Sequence, residues 1–311
     1  PDRGQPIILR RMESREPPAA PAPRLQGKRV LIVLGCLDLG GAERLGVQLG
    51  HGLAARHGAS AEVWGFRPPG RAAQLCDELG VPWRFVPEPW GPGSLRWPGM
   101  IWNFSRMLRR HRVDVLLPIT SFPNILCGLC WRFGRAGTCI WNQQDEGMNL
   151  ESRLASLAAR NTPRFLSNTR TGAALLVERF GVDARRIRMV RNIVRVMPAA
   201  EGRESWRARL QVSPETLLAV MVANVHPPKD HATLLDAWRR VVSGAGGPAP
   251  VLALAGSVEP DDPIHRQIAQ LGLGPHVRLL GHVADIWGLL RAADLSVFSS
   301  LSEGAPNVVL E

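Results

Sequence analysis

Residues 28–56 read KRVLIVLGCLDLGGAERLGVQLGHGLAAR, and their order decides the fold class. Five apolar residues, Val30 to Leu34, run without a polar break. Such a run suits a strand covered on both faces, as in a parallel sheet. A loop from Gly35 to Gly41 follows, and then a helical stretch from Ala42 to about Arg56. Strand, turn and helix in this order form the opening unit of an α/β domain. Gly40 and Gly41 let the backbone bend tightly and bring its N–H groups toward an anion at the helix N-terminus, so they are candidates for a phosphate or acceptor loop. The turn lacks G-x-G-x-x-G spacing, which disfavours a nicotinamide cofactor.

The same rhythm continues outward. Strands are expected at 61–64, 83–86, 113–118, 138–141, 164–167 and 187–190, with helical stretches that include 99–111 and 171–179. Between Asn192 and Ser205 the rhythm breaks into Pro198, Ala199, Ala200 and Gly202, and then restarts. Strands are expected at 217–222, 251–255, 277–280 and 295–298, with helices at 230–242, 262–271 and 284–292. This gives two doubly wound parallel-sheet domains: a disordered tail over 1–27, a first domain over 28–192, a linker over 193–204 and a second domain over 205–311. Ligands of such folds sit at the carboxyl ends of the strands, and two domains would place a cleft there.

Composition narrows the partners. The net charge is +11, and Lys28 and Lys229 are the only lysines among 38 basic residues. Such a surface favours nucleotide phosphates or anionic lipid. Neither zinc-finger spacing nor an aromatic-basic strand points to nucleic acid. The odd, scattered cysteines, Cys36, Cys76, Cys127, Cys130 and Cys139, suit a reduced cytoplasmic protein, and no metal site is expected. No stretch is long and apolar enough for a membrane helix, and the Pro, Arg and Glu of the N-terminus do not make a secretory signal. The chain starts at Pro1 and stops in a helix carrying Glu311, so a C-terminally truncated second domain is expected.

That last helix follows SSLSEGAPNVVLE, residues 299–311. Pro306 suits a first helical turn, which would leave the N–H groups of Ala305, Asn307 and Val308 free for a phosphate. Glu303 and Glu311 are eight residues apart. Together, Glu303, Gly304, Pro306 and Glu311 resemble the E-x7-E signature of retaining glycosyltransferases of the two-Rossmann-domain (GT-B) type, family 4. The resemblance implies that Glu303 contacts the donor sugar and Glu311 the ribose of a nucleotide-sugar.

Further segments extend it. Lys229, in the loop after strand 217–222, matches a lysine that grips the donor phosphates, and a single-charge donor there can stabilise a departing diphosphate. Asn224 stands where an arginine is common. Gly281 and Val283 fall in the turn that contacts the base, and Ser302 lies beside the donor. The Gly40-Gly41-Ala42-Glu43 turn also resembles a segment of the family. After strand 138–141, Asn142 and Gln143 stand where a histidine is common. Their amides suit sugar hydroxyls, and Asp145 and Glu146 could supply an acceptor-side base. Asp230 is read as a helix cap.

The resemblance implies transfer of a sugar, with retention and without a metal or cofactor, from a nucleoside-diphosphate-sugar to a carbohydrate or lipid-linked acceptor. Cell-surface polysaccharide or glycolipid synthesis is the implied setting, in the cytoplasm or at the inner face of an anionic membrane. The alternatives are a nucleotide-sugar epimerase of the same architecture and a non-catalytic nucleotide-sugar binder.

Overall fold

The computed structural model describes residues 25–87, 97–144, 153–192, 198–301, 303 and 305–310. The chain divides into two compact units, residues 1–193 with 304–307, and 194–303 with 308–311.

In the first unit the run after Lys28 forms strand β1 (Arg29–Leu34), and helix α1 (Gly41–His57) follows. The helix stops at Gly58, whose φ of 67° is left-handed and whose N–H caps the carbonyl of Ala54. Then come β2 (Ser60–Gly65), α2 (Arg71–Glu78), β3 (Trp83–Phe85), α3 (Trp97–His111) and β4 (Val115–Pro118). They are followed by α4 (Ser121–Cys130), β5 (Thr138–Gln143), α5 (Arg153–Asn161), β6 (Arg164–Ser167), α6 (Arg170–Phe180) and β7 (Ile187–Met189). The seven strands lie in the order β3-β2-β1-β4-β5-β6-β7, and every pair is parallel. Val30 pairs with Ala61 on one side and Val115 on the other. Leu31 and Val33 pack into one core cluster and Val30, Ile32 and Leu34 into another, and this burial of both faces is why the strand reads as unbroken Val, Leu and Ile. Leu25 packs against the core beside β1.

The second unit opens with α7 (Arg203–Arg209). It continues through β8 (Leu218–Val222), α8 (His231–Ser243), β9 (Val251–Ala255), α9 (Pro263–Gln270), β10 (Val277–Gly281), α10 (Ile286–Ala292), β11 (Leu295–Ser296) and α11 (Asn307–Leu310), of which Val308 onward belongs to this unit. Its strands are also parallel, in the order β10-β9-β8-β11. Residues 200–203 are tied to this unit: Ala200 and Glu201 each donate to Asp285 at 3.0 Å, and Arg203 Nη1 donates to the carbonyl of Ala292 at 2.8 Å. Two side-chain layers, one around Trp206 and Leu218 and one around Leu235 and Leu252, cover the two faces of the sheet. The doubly wound α/β class expected from the strand and helix rhythm is the one observed.

One expectation about the last helix needs correction. It begins at Asn307, with Pro306 directly before it and not within its first turn. The proline ring disfavours the helical region for the residue ahead of it, so Ala305 cannot join the helix. Only four helical residues are described, and no N-terminal anion site is assigned to them.

Candidate functional site in the second unit

In each sheet the strand order reverses once, at the topological switch point where α/β folds bind ligands. In the second sheet the reversal lies between β8 and β11, which are neighbours although α8, β9, α9, β10 and α10 separate them in sequence. The loop after β8 carries Lys229, and the segment after β11 carries Glu303. The two side chains form an ion pair there, with 29% and 21% of their side-chain surfaces exposed.

The surrounding backbone explains how they meet. Pro227 to Lys229 form one 3-10 turn. Asp230 then takes a left-handed conformation, φ 48°, and its carboxylate accepts from the N–H of Thr233 at 3.2 Å, which caps α8. The Asp230 cap therefore fixes the residue that follows Lys229. Two hydrogen bonds lace this loop to the β11 exit: Ser299 Oγ donates to the carbonyl of Lys229, and Leu301 N–H to that of Pro228, each at 2.9 Å. The Lys229 ammonium also lies 5.7 Å from the centroid of the Phe298 ring. Ser300 Oγ beside it is buried without a hydrogen-bond partner.

Other residues singled out in the sequence sit along the same strand ends. Asn224 uses its side-chain oxygen to accept from the N–H of Ser257 at 2.9 Å, joining the exits of β8 and β9. Its amide therefore serves this loop junction. Gly281 has φ 61°, which demands glycine at the end of β10, while open space lies where a Cβ would point. Val283 packs against the core beneath. Ala305 is partly exposed, and Asn307 and Val308 begin α11. Ser302, Gly304 and Glu311 lie outside the described residues.

Two further residues shape this region. A Cβ on Gly256 would fall 2.0 Å from the carbonyl oxygen of Ala223, so glycine is needed for the two loops to pass. The signal was present as the Ala255-Gly256-Ser257 break after an apolar run. His231 is buried at the start of α8. Burial pushes its imidazole below the usual range, with Asp262 opposing that shift.

In the first unit the reversal lies between β1 and β4. Gly40 and Gly41 follow β1, and the anion at this turn is the chain's own Glu43. A Cβ on Gly40 would lie 2.6 Å from the Glu43 carboxylate, and Cys36 Sγ is 3.7 Å from it. Burial raises the pKa of Glu43, while backbone hydrogen bonds at Glu43 and Gly40 hold it down. Asn142 and Gln143 end β5, both buried. Asn142 exchanges backbone hydrogen bonds with the Asn124 side chain at 2.9 and 3.0 Å, and Gln143 Oε1 accepts from the Trp141 indole at 2.8 Å. Gln144 donates to Asn142 Oδ1 at 2.7 Å and accepts from Asn168 at 2.9 Å, forming a ladder of amides across the ends of β5 and β6. The other oxygen of this ladder, Asn168 Oδ1, is buried without a partner. Asp145 and Glu146 lie outside the described residues. The four thiols of Cys76, Cys127, Cys130 and Cys139 are buried, and burial pushes Cys130 up to about 12. Among the described residues no group of His, Cys, Asp and Glu is placed to hold a metal.

Comparison with known proteins follows the same division. Residues 39–196 match the model of "Glycosyltransferase Family 4", and residues 202–311 that of "Glycosyl transferases group 1". A D-inositol 3-phosphate glycosyltransferase of Streptomyces bingchenggensis is 29% identical over 168 residues, a match that spans 48% of this chain and only 35% of that protein. The crystal structure of Anabaena Alr3699/HepE in complex with UDP and glucose superposes with a TM-score of 0.74 at 19% identity, over 91% of this chain and 77% of that one. WaaG, a glycosyltransferase involved in lipopolysaccharide biosynthesis, gives 0.68 at 14% identity over the same shares. These likenesses carry the GT-B fold of two Rossmann-like domains. The family 4 model by itself spans more than half of the 311 residues, and the chain belongs to glycosyltransferase family 4.

Proposed function

We propose that this chain is a retaining glycosyltransferase that moves a sugar from a nucleoside-diphosphate-sugar to an acceptor hydroxyl. The observation that carries the reading is the meeting of Lys229 and Glu303 at the switch point of the second sheet, where a cation and a carboxylate face one ligand position. As the bond between the anomeric carbon and the diphosphate oxygen breaks, negative charge gathers on the leaving group. Lys229 meets that charge, and Glu303 orients the sugar. Lys229 and Glu303 neutralise each other in their ion pair, and donor binding exchanges Glu303 for the diphosphate at Lys229. Glu311 is assigned the ribose, and Gly281 and Val283 the base. The reading gives no role to a metal or cofactor.

The donor class is supported by Alr3699/HepE, whose structure holds UDP and glucose. The acceptor is proposed to be a carbohydrate or lipid-linked hydroxyl, used in cell-surface polysaccharide or glycolipid synthesis at the cytoplasmic face of the membrane. The amide ladder of Asn142, Gln144 and Asn168 suits such an uncharged polyol.

The test is a thermal-shift screen with UDP-, GDP- and ADP-sugars, repeated with Lys229→Ala and Glu311→Ala. A ligand at about 100 times its Kd stabilises the native state by about 2.7 kcal/mol. One donor class should raise the melting temperature, and each substitution should reduce the rise. No rise with any donor overturns the reading. Proton NMR of the product tests stereochemistry, and an inverted anomeric centre removes retention.

A further inference from the structure

The exits of β1 and β4 meet at the switch point of the first sheet, and a strained residue stands there. Thr120 has φ 73° and ψ 173°, a region that a β-branched side chain enters only under constraint. The constraint comes from its neighbours. Ile119 donates to the carbonyl of Val33 at 2.9 Å and bridges to Asn142, while the Thr120 carbonyl accepts from the N–H of Asn124 at 3.1 Å. Thr120 is the N-cap residue of α4, yet its hydroxyl makes no cap. That hydroxyl lies instead toward the β1 exit, 3.7 Å from where a Cβ on Gly35 would be.

Beyond Gly35 and Cys36 lies the partly buried Glu43. Its carboxylate accepts from the N–H of Gly40, the N-cap residue of α1, as the glutamate of a capping box does. Asp38 adds charge of the same sign nearby and is itself paired with Arg71 at 3.8 Å. A phosphate entering at the glycine turn would therefore meet a carboxylate where the turn by itself would offer N–H groups. On the other side of Thr120 the polar row continues through Asn142, Gln144 and Asn168, and ends on the buried, unpartnered Asn168 Oδ1. Hydroxyl, amides and one carboxylate make a row rich in hydrogen-bond acceptors.

We propose that this crevice selects an uncharged, hydroxyl-bearing acceptor group and rejects its phosphorylated form, with Glu43 as the resident anion and Thr120 as the hydroxyl that positions the ligand. The inference rests on the glycosyl-transfer reading and names the chemistry of its acceptor. A sugar hydroxyl can donate to Glu43 or to Asn168 Oδ1 and accept from Thr120. A phosphate monoester instead brings a charge of about −1.5 to −2 beside a carboxylate. The strain at Thr120 supports a role for its hydroxyl, because glycine would serve the backbone there without that cost.

Saturation-transfer NMR titrations on the full chain test it, with the nucleoside diphosphate selected by the thermal-shift screen present to fill the donor position. The probes are neutral hexoses and myo-inositol, each beside its monophosphate. The neutral probes should bind, and the monophosphates should bind about tenfold more weakly, a difference of about 1.4 kcal/mol. Glu43→Gln keeps the cap, since glutamine also closes a capping box, and removes the charge, so the monophosphates should gain about tenfold. Thr120→Gly should hold or raise the melting temperature and weaken the neutral probes by about fivefold, and Thr120→Ser should bind them as the parent does. A purely structural Thr120 would leave the glycine variant binding in full. If no donor shifts the melting temperature, the glycosyl-transfer reading fails and this one with it. Where a donor does shift it, absence of binding by every neutral probe, monophosphates that bind as well as their neutral forms, a preference unmoved by Glu43→Gln, or undiminished binding in Thr120→Gly would each overturn this proposal alone.

Discussion

Lys229 and Glu303 hold each other's charge at a partly exposed site, where an ion pair stabilises by only about 0–1 kcal/mol. That modest strength suits a pair that a ligand must separate. Glu303→Gln should therefore tighten a bare nucleoside diphosphate by up to about fivefold while abolishing transfer, as read by calorimetry and by product formation. Weaker diphosphate binding in that variant would show that the two do not compete. Gly256 shows a different kind of necessity. Its missing Cβ leaves room for the Ala223 carbonyl, so Gly256→Ala should cost about 3 kcal/mol, measured as a lower denaturant midpoint at unchanged slope. His231 links stability to pH. Burial lowers its folded pKa, so the unfolded chain binds the proton more readily. Stability should fall as pH drops below about 6.5, and His231→Phe should flatten that fall in melting curves.

At the scale of elements, one carboxylate organises the entry to the second unit. Asp285 caps α10 through the Gly288 N–H at 3.0 Å, holds the N–H groups of Ala200 and Glu201, and accepts from the Trp206 indole at 2.8 Å. Burial works against its ionisation, yet these four donors pull its pKa down to about 2. An ordinary cap contributes about 1 kcal/mol, and the loss of four donors' partner in Asp285→Ala should cost about 3 kcal/mol in chemical denaturation. Asp294 plays the parallel part beside Arg203 and the buried Arg207, again at about 2. For both acids the folded pKa lies below the ordinary 3.8, so their contribution is complete above about pH 4 and is lost as pH falls toward about 2. Acid titration of Asp285→Asn and Asp294→Asn should show a shallower loss than the parent chain. The helices differ in how readable they are. α3 combines apolar and arginine stripes, and α6 starts at a Thr169 cap and ends at Gly181 with φ 64°, both local signals. α5 buries Ala155, Ala158 and Ala159 at i, i+3 and i+4 with Leu154 packed beside them, a stripe built from small residues that is easily overlooked in the sequence. α2 and α7 span eight and seven residues, too few for a clear period.

At the scale of the molecule, each unit has its own parallel sheet and its own core. A nucleotide-sugar bound at the second sheet should slow amide exchange at 224–226, 229–230, 256–257, 281–283 and 299–301, and leave the amides of β2 and β3 unchanged. Protection confined to the first unit would move the donor site there. The sequence by itself determined the α/β class, most element positions, the glycine at Gly281 and the Asp230 cap. These follow from near-neighbour sterics and hydrophobic period, which act over a few residues. Tertiary structure alone decided what the side chains face. It set β11 beside β8 and so brought Glu303 to Lys229 across 74 residues, turned Asn224 onto Ser257, and placed Glu43 in the glycine turn that reads as open to a phosphate. A side chain's partner depends on which strands become neighbours, and strand order is fixed by burial and crossover chirality over the whole sheet, not by any local pattern.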